Sequence, residues 1–572
     1  MSRYQTIPQT DDDPGSNDDR ADQPFLSSPF LSGDSHITSL TNKGSFTTHP
    51  DGSYTYAYGP GGLRGLKHNY YALLCALFAS IGGLEFGYDQ GVIANVLVMK
   101  DFRTSFPLTP IVMGTMTAVL ELGCLFGVLC AGVFADRYSR RMSILFACIV
   151  FCIGSAFQCG ATSLPHLYVG RAIGGVGVGA LSMLSPLYMA EISPPEVRGS
   201  LLTLEQFSIV LGVVLGFWTG FATREIPNSL SWRIPLGIQI IPGIVLAVGC
   251  FFLPPSPRLL ILQDRNDDAL ASLAKLRLRT LEEAKSDPLI QIELLEMRAE
   301  KTLISRTSGN ECSTTVCIGE LRSWGQLFKP RYRDRTMVGI MIMFFQQWSG
   351  INALLYYGPI LVHSIGLSSD TNSLAVSGGI GIVQFLAVFI TIIYIDKLGR
   401  KPLLRGGSII MASSHITISV LIYIFEDEWS SYPAAVWAAV GGMYTFTFAY
   451  GVSFGPIGWV LPSEVFPISM RGKGIALSTA SNWFNNFLIG LITPVLVEMS
   501  PSLTFIVFAV PCLLAYLWAT YQVPETANLS LEEIDAVFNS SVGGDDANLK
   551  RQIEQDLGLH DLIQELVAND DH

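Results

Sequence analysis

The hydropathy of this chain is organised in long blocks, each close to the roughly 20 apolar residues that carry an α-helix across a bilayer. Twelve blocks are read, at 71–98, 109–134, 143–162, 166–190, 200–222, 234–253, 336–364, 374–395, 403–425, 434–461, 474–497 and 502–521. The fourth, eighth and eleventh are rich in Gly and other small residues, which lets helix backbones approach closely in lipid. Between the sixth and seventh blocks lies a polar stretch, 254–335. Its LEEAKSDPLIQIELLEMRAEK portion repeats apolar residues at three and four, predicting amphipathic helices. Residues 1–66 are dominated by Ser, Asp, Pro and Gly, which predicts a disordered tail and no signal peptide. The organisation expected is a tail (1–66), a six-helix half (67–253), a helical linker (254–335), a second six-helix half (336–521) and a C-terminal tail (522–572).

Composition supports an all-α membrane protein. Of 572 residues, 49% are hydrophobic and only 15% charged, against about 25% charged in an average soluble chain. The net charge of −12 draws heavily on the two tails, so nucleic-acid binding finds no support. Most cysteines lie inside apolar blocks and act as small hydrophobes. Cys312 and Cys317 share a polar loop at a spacing that fits no common zinc site, and no metal or cofactor is expected. Cations orient the blocks. Arg137, Arg140 and Arg141 follow block two, Arg198 follows block four, Lys397, Arg400 and Lys401 follow block eight, and Arg471 and Lys473 follow block ten. The opposite loops are poorer in cations, which predicts both termini in the cytosol.

The loops repeat. GVFADRYSRR (132–141) matches IDKLGRK (395–401), and EISPPEVRG matches EVFPISMRG, with Glu191–Arg198 and Glu464–Arg471 both seven apart. PPSPR (254–258) matches PET (524–526). All three pairs are offset by about 260–273 residues, indicating a duplicated six-helix unit. Parallel halves around a central site are a transporter architecture. No motif places a nucleophile beside a base, and GRAIGGVGVG lies inside a block, so no enzyme is expected.

The motifs FGYDQGVI (86–93), GRAIGGVGVG (170–179), PPSPR, QQWSGINALLYY (346–357), GPIGWVLPSEVFP (455–467) and PETANLSLEEI (524–534) together resemble the sugar porter family of the major facilitator superfamily, over about residues 70–535. The wording is nearest to fungal members. The resemblance implies the major facilitator fold of twelve transmembrane helices and a carrier in the plasma membrane that imports a monosaccharide, a hexose or a pentose, as a proton symporter. The alternatives are a facilitative uniporter and a non-transporting sugar sensor. Ser139, Pro255, Gly458 and Gln384 depart from the family pattern, as do Ala527 and Asn528. Pro255 stands for a carboxylate that the family uses in its cytosolic charge network.

A sugar needs amide partners for its hydroxyls and an aromatic platform for its apolar face. Gln206, Gln346, Gln347, Asn352 and Asn482 supply amides at positions matching those of the family, with Gln384 bearing on preference. Tyr356 and Trp459 are candidate platforms, with Phe86, Tyr357 and Tyr450 behind them. On an ideal helix Gln346 would face away from Asn352, so Ser349-Gly350 is expected to distort block seven. Arg137, Arg141, Glu191, Arg198, Arg258, Arg400, Glu464 and Arg471, with Lys401, are expected to form a cytosolic gate that holds the halves together.

Asp89 in block one and Arg171 in block four fall at similar depth, and the family resemblance associates the pair with proton coupling. Burial disfavours the charged carboxylate and a cation favours it, so such a group can change charge as access alternates. Glu85, one turn from Asp89, and Glu121 in block two are further buried acids. Glu85, Glu121, Asp89 and Arg171 are expected to form one titratable cluster. The alternative is that Glu85 and Glu121 are neutral hydrogen-bond donors between helices.

Overall fold

The computed structural model describes residues 36–38, 44–48, 54–60, 62–308, 324–367, 370–425, 428–467, 469–526, 534, 538 and 542–570. Apolar runs become helices because only a helix satisfies every backbone N–H and C=O within one segment in lipid. The first half holds α1 (Tyr70–Val96), α2 (Pro110–Arg137), α3 (Arg140–Cys159), α4 (Leu164–Ile192), α5 (Arg198–Thr223) and α6 (Leu230–Gly249). The second holds α7 (Pro330–Ser364), α8 (Asp370–Leu398), α9 (Arg400–Phe425), α10 (Pro433–Val452, continuing past Ser453 as Phe454–Val465), α11 (Arg471–Met499) and α12 (Pro501–Tyr521). Ten of these are long and apolar enough to cross a membrane by length and composition. The other two are α10 and α11, and α11 carries Asn482, Asn485 and Asn486, which dilute its apolar character.

Glycines set the helix spacing that positions the polar residues. A Cβ on Gly87 of α1 would lie 1.8 Å from the Ile209 carbonyl oxygen of α5, and one on Gly175 of α4 would lie 2.1 Å from that of Leu120 in α2. Backbones therefore touch at α1–α5 and α2–α4, which brings α1, α2 and α4 around one polar interior. The halves meet along α2–α11, α5–α8 and α1–α7. At the end away from the linker this seam is closed. Tyr356 and Tyr357 of α7 share an apolar cluster with Tyr88, Val92 and Trp232 of the first half, and the Tyr357 hydroxyl is tied within its own half to the Gly490 carbonyl of α11 at 2.7 Å.

The linker forms the expected helices, Pro257–Leu262, Asn266–Leu276, Leu281–Ser286 and Pro288–Ser308. Cys312 and Cys317 lie outside the described residues. The N-terminal stretch departs from expectation. It forms an antiparallel sheet of β1 (His36–Thr38), β2 (Ser45–Thr48) and β3 (Tyr54–Ala57), in that order, and a helix begins at Gly62. The sheet is ordered by distant partners. Phe46 and Tyr58 are buried among Leu273, Ile290, Leu559 and neighbours from the linker and the C-terminal helix Leu559–Asp570, while the preceding helix Val542–Asp556 packs Ile553 on Ala299 and Leu303 of the linker. The Tyr54 and Tyr56 hydroxyls donate to Glu296 at 2.8 and 2.7 Å, and that of Tyr58 donates to Glu293 at 2.7 Å. 

Glu293 also pairs with Arg277 at 2.5 Å, and Arg277 donates to the Ile192 carbonyl at the end of α4 at 3.1 Å. Burial works against the guanidinium charge, but Glu293 outweighs it and holds Arg277 above its ordinary range. Arg277→Met strands a buried carboxylate. It is expected to cost about 3–5 kcal/mol, read as a lower unfolding temperature of the purified protein in detergent. Unchanged melting would mean this assembly adds nothing to stability.

Candidate functional site

The α7 helix breaks at Gly350, whose φ of 92° only glycine adopts without strain. The expected distortion is therefore present. It lets residues on both sides of the break face the interior together. Gln346 Nε2 donates to the Phe454 and Gly455 carbonyls of α10 at 3.0 and 3.1 Å, and its Oε1 accepts from Asn482 Nδ2 of α11 at 2.6 Å. Gln347 Nε2 donates to Asn482 Oδ1 at 3.0 Å. Past the break, Asn352 Nδ2 donates to Gln347 Oε1 at 2.6 Å and to Asn486 Oδ1 at 2.8 Å. Gly458, where a side chain would be expected, leaves room for Gln346: a Cβ there would lie 2.5 Å from its amide nitrogen.

This chain of amides crosses into the other half. Asn486 Nδ2 donates to Glu121 Oε2 of α2 at 2.8 Å, and the Tyr356 hydroxyl donates to Glu121 Oε1 at 2.7 Å. Gln90 of α1 donates to the same hydroxyl at 3.1 Å. Buried networks of this kind hold a defined geometry because each unmade bond in low dielectric is costly. Sequence reasoning missed Asn486 and Gln90. The former stands four residues after Asn482, on the same helical face, and that spacing was the available signal.

The other candidates stand around this network. The Phe86 ring lies 4.9 Å from that of Trp483, next to Asn482. Tyr450 is buried on α10. Gln206 of α5 and Trp459 of α10 are half-buried. Gln384 of α8 is buried, and its Oε1 makes no hydrogen bond among the described residues.

Asp89 and Arg171 are together, 2% and 1% exposed as side chains, with Arg171 Nη2 3.4 Å from Asp89 Oδ2. The guanidinium is shared: Nε donates to the Met116 carbonyl at 2.6 Å and Nη1 to Gln158 Oε1 at 3.4 Å. Asp89 Oδ1 has no hydrogen-bond partner among the described residues. The pair is loose, so its partners can separate without breaking a short bidentate contact.

Of the four residues expected to cluster, Asp89, Arg171 and Glu121 lie within electrostatic reach of one another, and Glu85 stands apart. Glu121 joins Tyr356 and Asn486. Glu85 lies instead toward α6 and α3, where a Cβ on Gly243 would be 3.2 Å from its Oε1 and 2.6 Å from Cys152 Sγ. Among the described residues no hydrogen bond reaches either of its oxygens. Four residues of helix turn about 40° past a full revolution, enough to aim Glu85 and Asp89 at different neighbours. A second acid that sequence reasoning missed, Glu205 of α5, is also buried and without a hydrogen-bond partner among the described residues.

The charged ends of the helices also differ from expectation. Arg140 of α3 pairs with Glu191 of α4 at 3.1 Å, and Arg400 of α9 pairs with Glu464 of α10 at 2.7 Å. These are repeat-related contacts, and each lies within one half rather than between halves. Arg140 and Arg400 are the first residues of their helices, which places both guanidiniums beside the C-terminal end of the following helix, where Glu191 and Glu464 sit. Glu525 accepts from the backbone N–H groups of Arg400 and Lys401 at 2.8 and 3.0 Å. Arg141 donates to the Leu253 carbonyl at 3.2 Å, and Arg471 to that of Phe466 at 3.4 Å. Arg258 pairs with Glu300 of the linker, within electrostatic reach of Glu191, Arg198 and Arg471. Cations of both halves thus face one another on the linker side. The side chain of Arg137 lies outside the described residues.

Comparison with known proteins agrees with this architecture. The low-affinity glucose transporter HXT3 of Saccharomyces cerevisiae is 31% identical over 488 residues, covering 82% of each chain. The galactose transporter of the same yeast is 32% identical over 489 residues, covering 82% of this chain and 81% of its own. Among solved structures, the major facilitator proton:xylose symporter XylE bound to 6-bromo-6-deoxy-D-glucose matches with a TM-score of 0.66 at 27% identity, over 82% of this chain and 99% of that one. The inward-open xylose transporter XylE from E. coli gives a TM-score of 0.64 at the same identity and coverage. The family described as "Sugar (and other) transporter" matches residues 75–538, and this chain belongs to that family.

Proposed function

We propose that this chain is a monosaccharide carrier, not an enzyme, that moves a hexose or pentose inward by alternating access and couples the movement to a proton. The observation that carries the reading is the continuous amide network of Gln346, Gln347, Asn352 and Asn482, which reaches Glu121 across the halves. Its donors and acceptors can be exchanged for sugar hydroxyls with little change in the number of hydrogen bonds. Tyr356, Trp459 and Phe86 offer aromatic surface, while Gln206 and Gln384 extend the polar wall. Yeast relatives named for glucose and galactose support the cargo class, and a relative named a proton:xylose symporter supports coupling.

Asp89 is the proton acceptor in this reading, with Arg171 as its counter-cation. Glu121 touches the sugar network and, through Arg171 and Asp89 nearby, links the two events. Loss of the Asp89–Arg171 contact on protonation frees α1 from α4. The intra-half pairs Arg140–Glu191 and Arg400–Glu464 keep each half rigid, and Arg198, Arg258 and Arg471 set the electrostatics of the opening face. The linker and both termini are cytosolic, by the excess of Lys and Arg on that side, and the membrane is the plasma membrane.

The test is uptake in a cell lacking its own sugar carriers. Labelled glucose should enter with saturation and be displaced by a subset of competing monosaccharides, whereas signalling without uptake would make the chain a receptor. Glu85→Gln is expected to leave the pH profile of uptake unmoved, because Glu85 faces α6 and α3. A displaced profile would return Glu85 to the coupling set.

A further inference from the structure

The break in α7 is held from its far side by a residue that no part of the proposed function uses. His415 of α9 is 3% exposed, and its Nε2 lies 2.9 Å from the Ser349 carbonyl oxygen, immediately before Gly350. A carbonyl can only accept, so Nε2 carries the hydrogen and the ring donates. Its Nδ1 has no hydrogen-bond partner among the described residues, so the second nitrogen does not compete for the ring's orientation. Aromatic rings fix that orientation instead: Phe446 of α10 lies at 4.3 Å, and Phe505 and Phe508 of α12 at 5.8 and 6.1 Å. Phe508 also packs on the break itself, since a Cβ on Gly350 would lie 2.7 Å from its ring.

We infer that His415 is a positioning residue for sugar binding. By holding the Ser349 carbonyl it fixes how the two segments of α7 meet. That junction sets the spacing between Gln346 and Gln347 on one side and Asn352 on the other. Their bonds of 2.6 Å, Asn352 to Gln347 and Asn482 to Gln346, leave little slack for a shifted break. The inference rests on the reading that these amides bind the sugar. It adds that α9, which contributes none of them, governs affinity from outside the site.

The experiment compares His415→Phe, His415→Gln and Gln347→Ala by concentration-dependent uptake of labelled glucose, normalised to carrier in the membrane. His415→Phe keeps the aromatic packing and removes the donor. It should raise KM about tenfold while the maximal rate per molecule stays within about twofold. His415→Gln restores an N–H donor of similar reach and should return KM to within about threefold of wild type. An unchanged KM for His415→Phe overturns the inference, as does an equal rise in both His415 variants. Should His415→Phe fail to reach the membrane, His415→Gln decides alone: a tenfold rise in its KM overturns the proposal. Gln347→Ala separates the two claims. If its KM is unchanged, the amide reading fails; if it rises while His415→Phe does not, only the role of His415 fails.

Discussion

Replacing Asp89 with Asn is expected to abolish accumulation of sugar against its gradient while leaving equilibrative exchange within about threefold of wild type. Asn keeps the volume and the acceptor toward Arg171, so the helices α1 and α4 still meet. What it cannot do is take up and release a proton. One proton moving down about one pH unit and about 100 mV supplies roughly 3.7 kcal/mol, enough to concentrate a sugar about 500-fold. The wild-type ratio should therefore lie well above one and the variant's at one. The contact is loose, at 3.4 Å, and Asp89 Oδ1 has no hydrogen-bond partner among the described residues, so little structure is lost with the charge. Flux ratios of a labelled sugar at steady state measure the effect. A variant that still accumulates sugar would remove Asp89 from coupling.

The second large effect belongs to Gln347→Ala. This side chain donates to Asn482 and accepts from Asn352, so it joins α7 to α11 and spans the helix break. Its removal leaves two buried amide groups short of a partner and takes one contact from the sugar. Losing one or two such bonds corresponds to about 10- to 100-fold in affinity. KM for labelled glucose should rise by that factor. The amount of carrier in the membrane should be preserved, because the α7 break depends on Gly350 rather than on the amide. Wild-type KM in this variant would place the sugar elsewhere.

Much of the architecture could be read from the sequence because lipid enforces it. The twelve apolar blocks match twelve helices, although α10 is interrupted at Ser453 and α11 is diluted by the asparagines that line the interior. The Ser349-Gly350 pair announced the break in α7, and the amides on either side converge as their motif implied. Other features were hidden for identifiable reasons. Arg137, Arg140 and Arg141 crowd within five residues, and only the helix start singles out Arg140 as the partner of Glu191. The spacing of Glu85 and Asp89 suggested one cluster, but the residual helical rotation and the packing of α1 send them apart. The N-terminal sheet has a polar, turn-rich composition, and the carboxylates that order it, Glu293 and Glu296, lie about 240 residues away. His415 gave no local sign at all, because its role comes from a carbonyl on another helix.

The most direct test is proton movement driven by sugar alone. The purified carrier, reconstituted in liposomes with a pH-sensitive dye, is given an inward glucose gradient with no imposed pH or voltage difference. The account predicts that the lumen acidifies as glucose enters, that Asp89→Asn abolishes the acidification while glucose still enters, and that a non-transported sugar produces neither. Glucose entry through the wild-type carrier with no change in lumenal pH would contradict proton coupling and leave a uniporter.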